Sequence, residues 1–380
     1  PSIFSWLRTD FDWTTVYQSD RNTNFIEQSI QLADTMMTLT QNAQGQRDWG
    51  GTVSLSPSAL AVSWFGSSVE GEDEGVAQLR SILSAIRPIS ATYRDGITSR
   101  FNRDPVDPRF DYQLGFGGRD RYRFVDADTA ATLTDRASWR LSSGVGLPGG
   151  AGLQVGYLLS DSETLDVRSD RNTRQETWPD VQATLPAIRL PSFTGIRSIN
   201  LSSGIVRTER EITFGGRALQ RRFDSDLQVP LDVSIQWLRT LVTAYRGAWR
   251  DGTGVDPTGD TERQVRNHRI SLNTQLLLVG GLASSLDRPI SLSIIGTYRS
   301  ELNCRITVAG EECVPFIDQV LRTVSLQADT SLRGFSFGLR VSYDDRQSFV
   351  GQQTGSTQFQ VGLFGQLDFG TADFPIGPVR

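Results

Sequence analysis

The 380-residue sequence has no lysine, a single histidine, two cysteines and two methionines. Side chains that bind transition metals or act as activated nucleophiles are therefore scarce. The G-x-G-x-x-G spacing at 144–149 contains Pro148 and leads into a strand pattern rather than a helix, so we interpret it as a hairpin turn. We expect no cofactor and no metal, and we do not expect an enzyme.

Long apolar runs are also missing, and hydrophobic residues make up only 38% of the chain. The sequence contains no stretch of 18 apolar residues, which excludes a helical membrane protein. A net charge of −5 argues against nucleic-acid binding, which depends on neutralising phosphates. Aromatic residues and glycines are abundant, with 19 Phe, 8 Trp, 8 Tyr and 36 Gly, and this composition argues against disorder. These exclusions leave a β-rich chain that either packs a modest core or has two faces that meet different solvents.

Apolar and polar residues alternate with a period of two through most of the C-terminal half, as strands with one apolar and one polar face do. The clearest segments are 227–237, 241–249, 270–278, 290–298, 324–332, 335–343 and 359–369. Each run covers about 9–12 residues, whereas globular strands usually have five or six. A tilted strand needs about 9–11 residues to cross a bilayer. The pattern predicts an all-β fold, an antiparallel transmembrane outer-membrane β-barrel of about 14–16 strands.

The connections between these segments are expected to alternate in length. Short turns are predicted at 147–150, 238–240 and 333–334. Long polar loops are predicted at 161–177, 208–226, 251–266, 300–319 and 344–357. Long loops at one edge and short turns at the other are typical of outer-membrane barrels.

Aromatic residues near the strand ends are expected to form girdles at the two membrane interfaces. The candidates are Phe335, Tyr343, Phe359, Trp237, Trp249 and Tyr298. Leu367 and Phe369 close the last strand and have the character of a terminal barrel-assembly signal. His268 is interpreted as a polar residue at the start of a strand.

The domain organisation follows from where the period changes. Residues 1–71 are expected to form irregular N-terminal strands, either a plug or a rim. In residues 72–87, three acidic residues come first and apolar side chains then recur at helical spacing. This pattern predicts one short amphipathic helix. Residues 88–369 are expected to supply the transmembrane strands, and 370–380 a periplasmic tail.

Cys304 and Cys313 fall within one predicted loop, with Gly310 between them. Two cysteines in a loop on the exposed side of an outer-membrane protein are expected to be oxidised to a disulfide. Such a small ring stabilises its loop by about 2–3 kcal/mol on chain-entropy grounds.

Five segments together resemble the C-terminal portion of the SprA (Sov) family of outer-membrane translocons. They are PSIFSWLRTDFDWTTVYQSD (1–20), LRSILSAIRPISATYRDGITSRFNRDP (79–105), FDYQLGFGG (110–118), WPDVQATLPAIRLPSFTGIRSINLSSGIVR (178–207) and VPLDVSIQWLRTLVTAYRGAWRD (229–251). The 178–207 segment is similar to the family's unit of a Pro-Asp strand, a Leu-Pro step and a Ser-rich strand. Family members are far longer than this chain, and the lysines of their hairpins are Arg or absent here.

The resemblance implies one segment of a very large barrel that conducts folded proteins to the cell surface in type IX secretion and gliding motility. It implies as partners the upstream barrel strands of the same protein, plug or gating proteins and secreted protein cargo, besides the lipid bilayer of the outer membrane. The chain, which begins at Pro1, is then a fragment or a processed product. The alternatives are a self-closed porin or ligand-uptake barrel, and a soluble or surface-anchored β-rich interaction protein.

Replacing the last strand's closing aromatic residue tests the assembly signal. We expect Phe369→Ala to lower the amount of chain inserted in the outer membrane, because the terminal aromatic residue marks the strand for assembly. Surface labelling of intact cells measures this amount, and a normal surface level of the variant would contradict the prediction.

Overall fold

The computed structural model describes most of the chain. The described residues are 5–20, 41–66, 74–104, 108–125, 128–166, 169–189, 191, 195–215, 221–237, 240–276, 286, 289–306, 312–332, 335–351 and 354–367. Phe369 and the predicted tail at 370–380 lie outside this part of the chain.

Strands dominate the structure. They are β1 (Leu7–Asp20), β2 (Gln41–Leu55), β3 (Ile89–Asp104), β4 (Phe124–Val125), β5 (Asp128–Thr129), β6 (Thr132–Gly146), β7 (Gly152–Asp166), β8 (Asp170–Arg189), β9 (Ser198–Phe214), β10 (Arg221–Gln236), β11 (Val242–Asp256), β12 (Gly259–Leu276), β13 (Ile290–Ile306), β14 (Val314–Leu332), β15 (Phe335–Ser348) and β16 (Thr354–Leu367). Fourteen of them form one sheet in the order β1-β2-β3-β6, then β7 to β16 in succession, while β4 and β5 form a separate hairpin. The prediction of an all-β antiparallel fold is confirmed.

The chain divides into two compact units. The first unit comprises Pro1–Gln182, Ile205–Leu227 and Thr253–Asp260, and the second comprises Ala183–Gly204, Gln228–Gly252 and Thr261–Arg380. Within each unit the strand pairs are antiparallel, for example β1 with β2 and β15 with β16, and β3 pairs with β6 across the segment that contains β4 and β5.

Among the described residues, four short α-helices interrupt the strands: α1 (Pro57–Phe65), α2 (Glu74–Ala85), α3 (Phe110–Gln113) and α4 (Arg119–Arg123). The helix predicted at 72–87 corresponds to α2, which begins with an acid in its first turn. The sequence did not predict α1, which begins with Pro57 and ends before Gly66 at a φ of 75°. None of the helices in the described residues is long and apolar enough to span a membrane.

The prediction of long loops was wrong, because the residues assigned to those loops are mostly in strands. β11 continues to Asp256 and β12 starts at Gly259, inside the expected 251–266 loop. The fourteen strands run from 14 to 20 residues, well beyond the predicted runs. The ladder of backbone hydrogen bonds does not require apolar side chains. Where both faces of a strand meet water, the hydrophobic period disappears although the strand continues.

The N-terminal region also departs from its prediction. Residues 1–71 contribute two long, regular strands to the main sheet, β1 and β2, which pair through Trp13 and Trp49, together with α1. The alternation of apolar and polar residues is hard to recognise in the sequence of β2, QNAQGQRDWGGTVSL, because this strand has few apolar side chains on either face.

A folded segment between β3 and β6 covers part of the first unit. We call residues 108–125 and 128–131 the strap; it contains α3, α4 and the β4–β5 hairpin. Four strap residues are buried with four sheet residues in one hydrophobic cluster, whose members are Tyr112, Tyr122, Val125 and Ala130 with Ala43, Ile97, Phe101 and Leu133. The strap was not predicted, since 88–369 was expected to supply only strands.

Truncating the strap core should destabilise the first unit. We expect Phe101→Ala to lower the free energy of unfolding by about 3–5 kcal/mol, because it leaves a cavity beneath Tyr112. Phe110→Ala is the matched control, since Phe110 is 72% exposed and should change stability little. Denaturant unfolding followed by fluorescence measures both, and equal effects would contradict the proposed core.

Candidate functional site

One face of β13 to β16 is apolar over a defined length. The register places Val341 beside Leu326 on one neighbour and Val361 on the other, and it places Leu339 opposite Leu363. Leu326, Leu339 and Val341 are half-buried, whereas Val361 and Leu363 are 59% and 84% exposed. A soluble protein buries such a face, so an exposed one indicates an apolar medium.

The residues between them point to the opposite face and are mostly polar, with Ile295 and Phe364 as exceptions. Ser342 pairs with Ser325 and Gln360, and the guanidinium of Arg340 donates to Gln327 Oε1 at 3.0 Å. The same four strands therefore carry an apolar face and a polar face.

The apolar face ends sharply along β15. From Phe335 to Tyr343 the strand rises on the order of 20 Å along the membrane normal at a tilt of 40°. Two residues further, the same face carries Asp345, which forms an ion pair with Arg322 of β14 at 3.6 Å. The change from apolar to aromatic to charged marks a boundary between hydrocarbon and water.

The expected girdle residues lie as follows in the second unit. Tyr343 and Phe359 are direct cross-strand partners near this boundary, and Phe335 pairs with Leu367 at the other end of the same strands. Trp237 follows the end of β10, where its indole Nε1 donates to Thr243 Oγ1 at 2.8 Å.

Trp249 and Tyr298 lie inside their strands and flank His268. Their ring centroids are 5.2 Å and 5.9 Å from that of His268. His268 is within β12, so its assignment to the start of a strand was wrong. Its Nδ1 and the Tyr245 hydroxyl share a hydrogen bond of 2.8 Å, which makes His268 part of an aromatic row.

The first unit has an aromatic row of its own, which sequence reasoning missed. Ring centroids lie 6.3 Å apart for Phe11 and Trp49, 5.1 Å for Trp49 and Tyr93, and 4.5 Å for Tyr93 and Trp139. Each residue comes from a different strand, so only the register brings them together. We call these four residues and Trp13, the partner of Trp49, the first-unit row.

The first-unit row also separates apolar from charged residues. On one side the same face carries the cross-strand partners Leu55 and Ile89. On the other side Arg47 Nη2 forms an ion pair with Asp95 Oδ1 at 2.7 Å, and Trp49 Nε1 donates to the same oxygen. The sequence of apolar, aromatic and charged residues therefore recurs in both units.

The strap is fixed to the charged side of this row. The Tyr112 hydroxyl and Ser99 Oγ share a buried hydrogen bond of 2.7 Å, and Arg47 Nη1 donates to the Gly117 carbonyl at 3.0 Å. Arg119 forms an ion pair with Glu163 of β7. Burial raises the pKa of Tyr112 to about 12, although the bond to Ser99 opposes the shift, so the phenol stays neutral at physiological pH.

The polar face of the second unit holds a compact ionic cluster. Glu301, only 7% exposed, accepts hydrogen bonds from Arg299 at 2.9 Å, Asn303 at 3.2 Å and Gln319 at 3.3 Å. Arg263 lies 3.5 Å from the same carboxylate. The cluster contains guanidinium, amide and carboxylate groups, which suit contact with water and polar solutes.

Cys304 and Cys313 are joined by a disulfide with a Cα–Cα distance of 5.3 Å. Cys304 lies within β13, which extends to Ile306. Residues 300–306 of the predicted 300–319 loop are therefore strand. Glu262 lies close to both sulfur atoms. Because a disulfide has no thiolate to offer, this trio is not a metal site.

No protein-family model matches the chain, and no curated protein matches it. Two similar solved structures are the alcaligin outer-membrane receptor FauA from Bordetella pertussis and a chain of the FpvAI–pyocin S2 complex. FauA has a TM-score of 0.33 and 10% identity over 97% of this chain and 70% of its own length. The chain of the FpvAI–pyocin S2 complex has a TM-score of 0.35 and 7% identity over 93% of this chain. The present chain spans about half (53%) of the length of that protein. TM-scores this low carry no argument about function, so the interpretation of this chain depends on its own residues.

A charge scan tests which face meets lipid. We expect Leu339→Arg to lower the free energy of unfolding in a bilayer by about 2–4 kcal/mol, because Leu339 lies midway along the apolar face. Ser342→Arg, on the polar face of the same strand, is the matched control and should cost little. Reversible denaturation in lipid vesicles measures both, and equal costs would refute the assignment of faces.

Proposed function

We propose that the chain is part of an outer-membrane β-barrel whose polar face lines a passage to the cell surface. The observation that carries this proposal is the opposition of the two faces on the same strands, with an aromatic boundary where the apolar face ends. A strand sheet satisfies its backbone hydrogen bonds internally, as the hydrocarbon region requires.

The polar face supports a passage rather than a dry core. Arg340 is exposed on that face, level with the apolar band, and its guanidinium donates to Gln327. An exposed guanidinium on that side requires water, because moving an isolated charge into an apolar core costs several kcal/mol. The transport is passive in this proposal, and any energy or gating comes from partners.

We further propose that the cargo is protein and that the chain acts as one segment of a SprA-like translocon of type IX secretion and gliding motility. The support is the resemblance of the five quoted segments. The 229–251 segment contains the second half of β10 and most of β11, in keeping with the two strands of that family's hairpin unit. Upstream strands, plug proteins and secreted cargo are the partners that this proposal requires.

The second candidate is a self-closed porin or uptake barrel. Fourteen strands in sequential antiparallel order would allow closure, since the first and last strands of an even-numbered set run in opposite directions. The two candidates differ in the neighbour of β1: it is β16 in a self-closed barrel and an upstream strand in a large translocon.

Cysteine cross-linking of the full-length protein in its native membrane separates them. If β1 paired with β16 so that the boundary residues Trp13 and Phe359 were cross-strand partners, Thr9 would lie beside Leu363. Thr9→Cys is therefore combined with Leu363→Cys. To allow for a register that differs by two residues, it is also combined with Val361→Cys or Gly365→Cys. We expect no cross-link from any pair, because the translocon places other strands beside β1.

A cross-link in one of these pairs would overturn the translocon proposal in favour of the self-closed barrel. Val53→Cys with Thr9→Cys is the positive control, because those two residues are direct partners in β1 and β2. Its cross-linking shows that the reagent reaches the lipid-facing side of β1.

A further inference from the structure

The strap leaves one large apolar side chain beside the first-unit row. The ring centroid of Phe116 lies 5.9 Å from that of Trp13, and Phe116 is 71% exposed. The strap does not lack packing partners, since Tyr112 and Tyr122 are buried in its core. The exposure of Phe116 is therefore a local feature of the position where the strap meets the row.

The contacts around Phe116 fix the face of the sheet on which it lies. Gly115, at a φ of 75°, approaches the side chains of Thr15 and Arg47, and Arg47 donates to the Gly117 carbonyl. Thr15 and Arg47 are cross-strand partners, as are Trp13 and Trp49 two residues away. Phe116 thus lies on the same face as the first-unit row and next to it.

The exposed surface is continuous from the strap into this row. Phe11 and Trp13 are themselves exposed, and Phe11 contacts Trp49. Arg119 of the strap forms ion pairs with Asp135 and Glu163, on the charged side of the row. An apolar ring beside an aromatic row, with ion pairs behind it, matches the polarity gradient of the lipid headgroup region.

We infer that the strap is a membrane-contact element, which inserts Phe116 into the headgroup region of the adjoining leaflet and so extends the lipid-facing surface beyond the strands. This inference rests on the proposed membrane location of the sheet. The occupant is lipid rather than a protein partner because the patch is continuous with the surface assigned to lipid.

Spin-label accessibility tests the inference in full-length protein reconstituted in nanodiscs of phosphatidylethanolamine and phosphatidylglycerol. A nitroxide is attached at Phe116→Cys, an exposed position where substitution disturbs little packing. The collision rate of the nitroxide with oxygen, which concentrates in lipid, is compared with its collision rate with a water-soluble nickel chelate. We expect the oxygen-to-nickel ratio to be several-fold higher than at Thr129→Cys, an exposed strap residue.

Thr129 is a suitable control because it adjoins Ala130, which packs in the cluster with Leu133. Leu133 lies about 15 Å further from the apolar band than Trp139, given the rise and tilt of the intervening strand. Protein without added cysteines measures background labelling, since Cys304 and Cys313 are joined.

A label at Leu141→Cys, on the apolar side of the first-unit row, separates the two possible failures. A Phe116 ratio equal to that of Thr129, with a high ratio at Leu141, would overturn the strap inference alone. A low ratio at Leu141 would overturn the membrane location and the inference together. A high ratio at both Phe116 and Leu141 is the expected result.

Discussion

Hydrocarbon offers no hydrogen-bond partner, so every backbone N–H and C=O of a crossing strand must bond to a neighbouring strand. The other features of this chain follow from that constraint. The ladder takes up the polar backbone, which leaves alternate side chains free to face lipid on one side and a polar space on the other. Leu339 and Arg340 are adjacent in sequence and lie on opposite faces for this reason. The proposed passage depends on this separation.

The ladder also continues where the membrane ends. On β15 the apolar face stops near Tyr343, whereas the strand runs to Ser348 and carries the ion pair between Asp345 and Arg322. The projecting strand ends form a platform in water, and in the first unit that platform carries the strap. Its charged groups, such as Arg47 and Asp95, and its buried aromatic cluster hold a folded segment in a region that was expected to supply only strands. The strap in turn places Phe116 next to Trp13.

The two candidate transport functions share this architecture and differ in what lies beside the edge strands. An unpaired strand edge is costly in lipid, so β1 and β16 need partners in the membrane, either each other or strands from elsewhere. The polar face also distinguishes a passage from a simple anchor, because the exposed Arg340 lies on the side away from lipid, level with the apolar band. Neither proposal requires catalytic chemistry from the described residues.

The sequence by itself determined the strand class, the all-β fold and the apolar stretch of strands such as 335–343, because a period of two is a local property that side-chain polarity reveals. It could not determine where strands end, since polar residues beyond Tyr343 or Trp249 look the same in a loop and in a solvated ladder. It also missed the first-unit row, the strap and the place of His268 between Trp249 and Tyr298. These features depend on register, which brings residues from distant strands together through backbone pairing, and only the tertiary structure decides that.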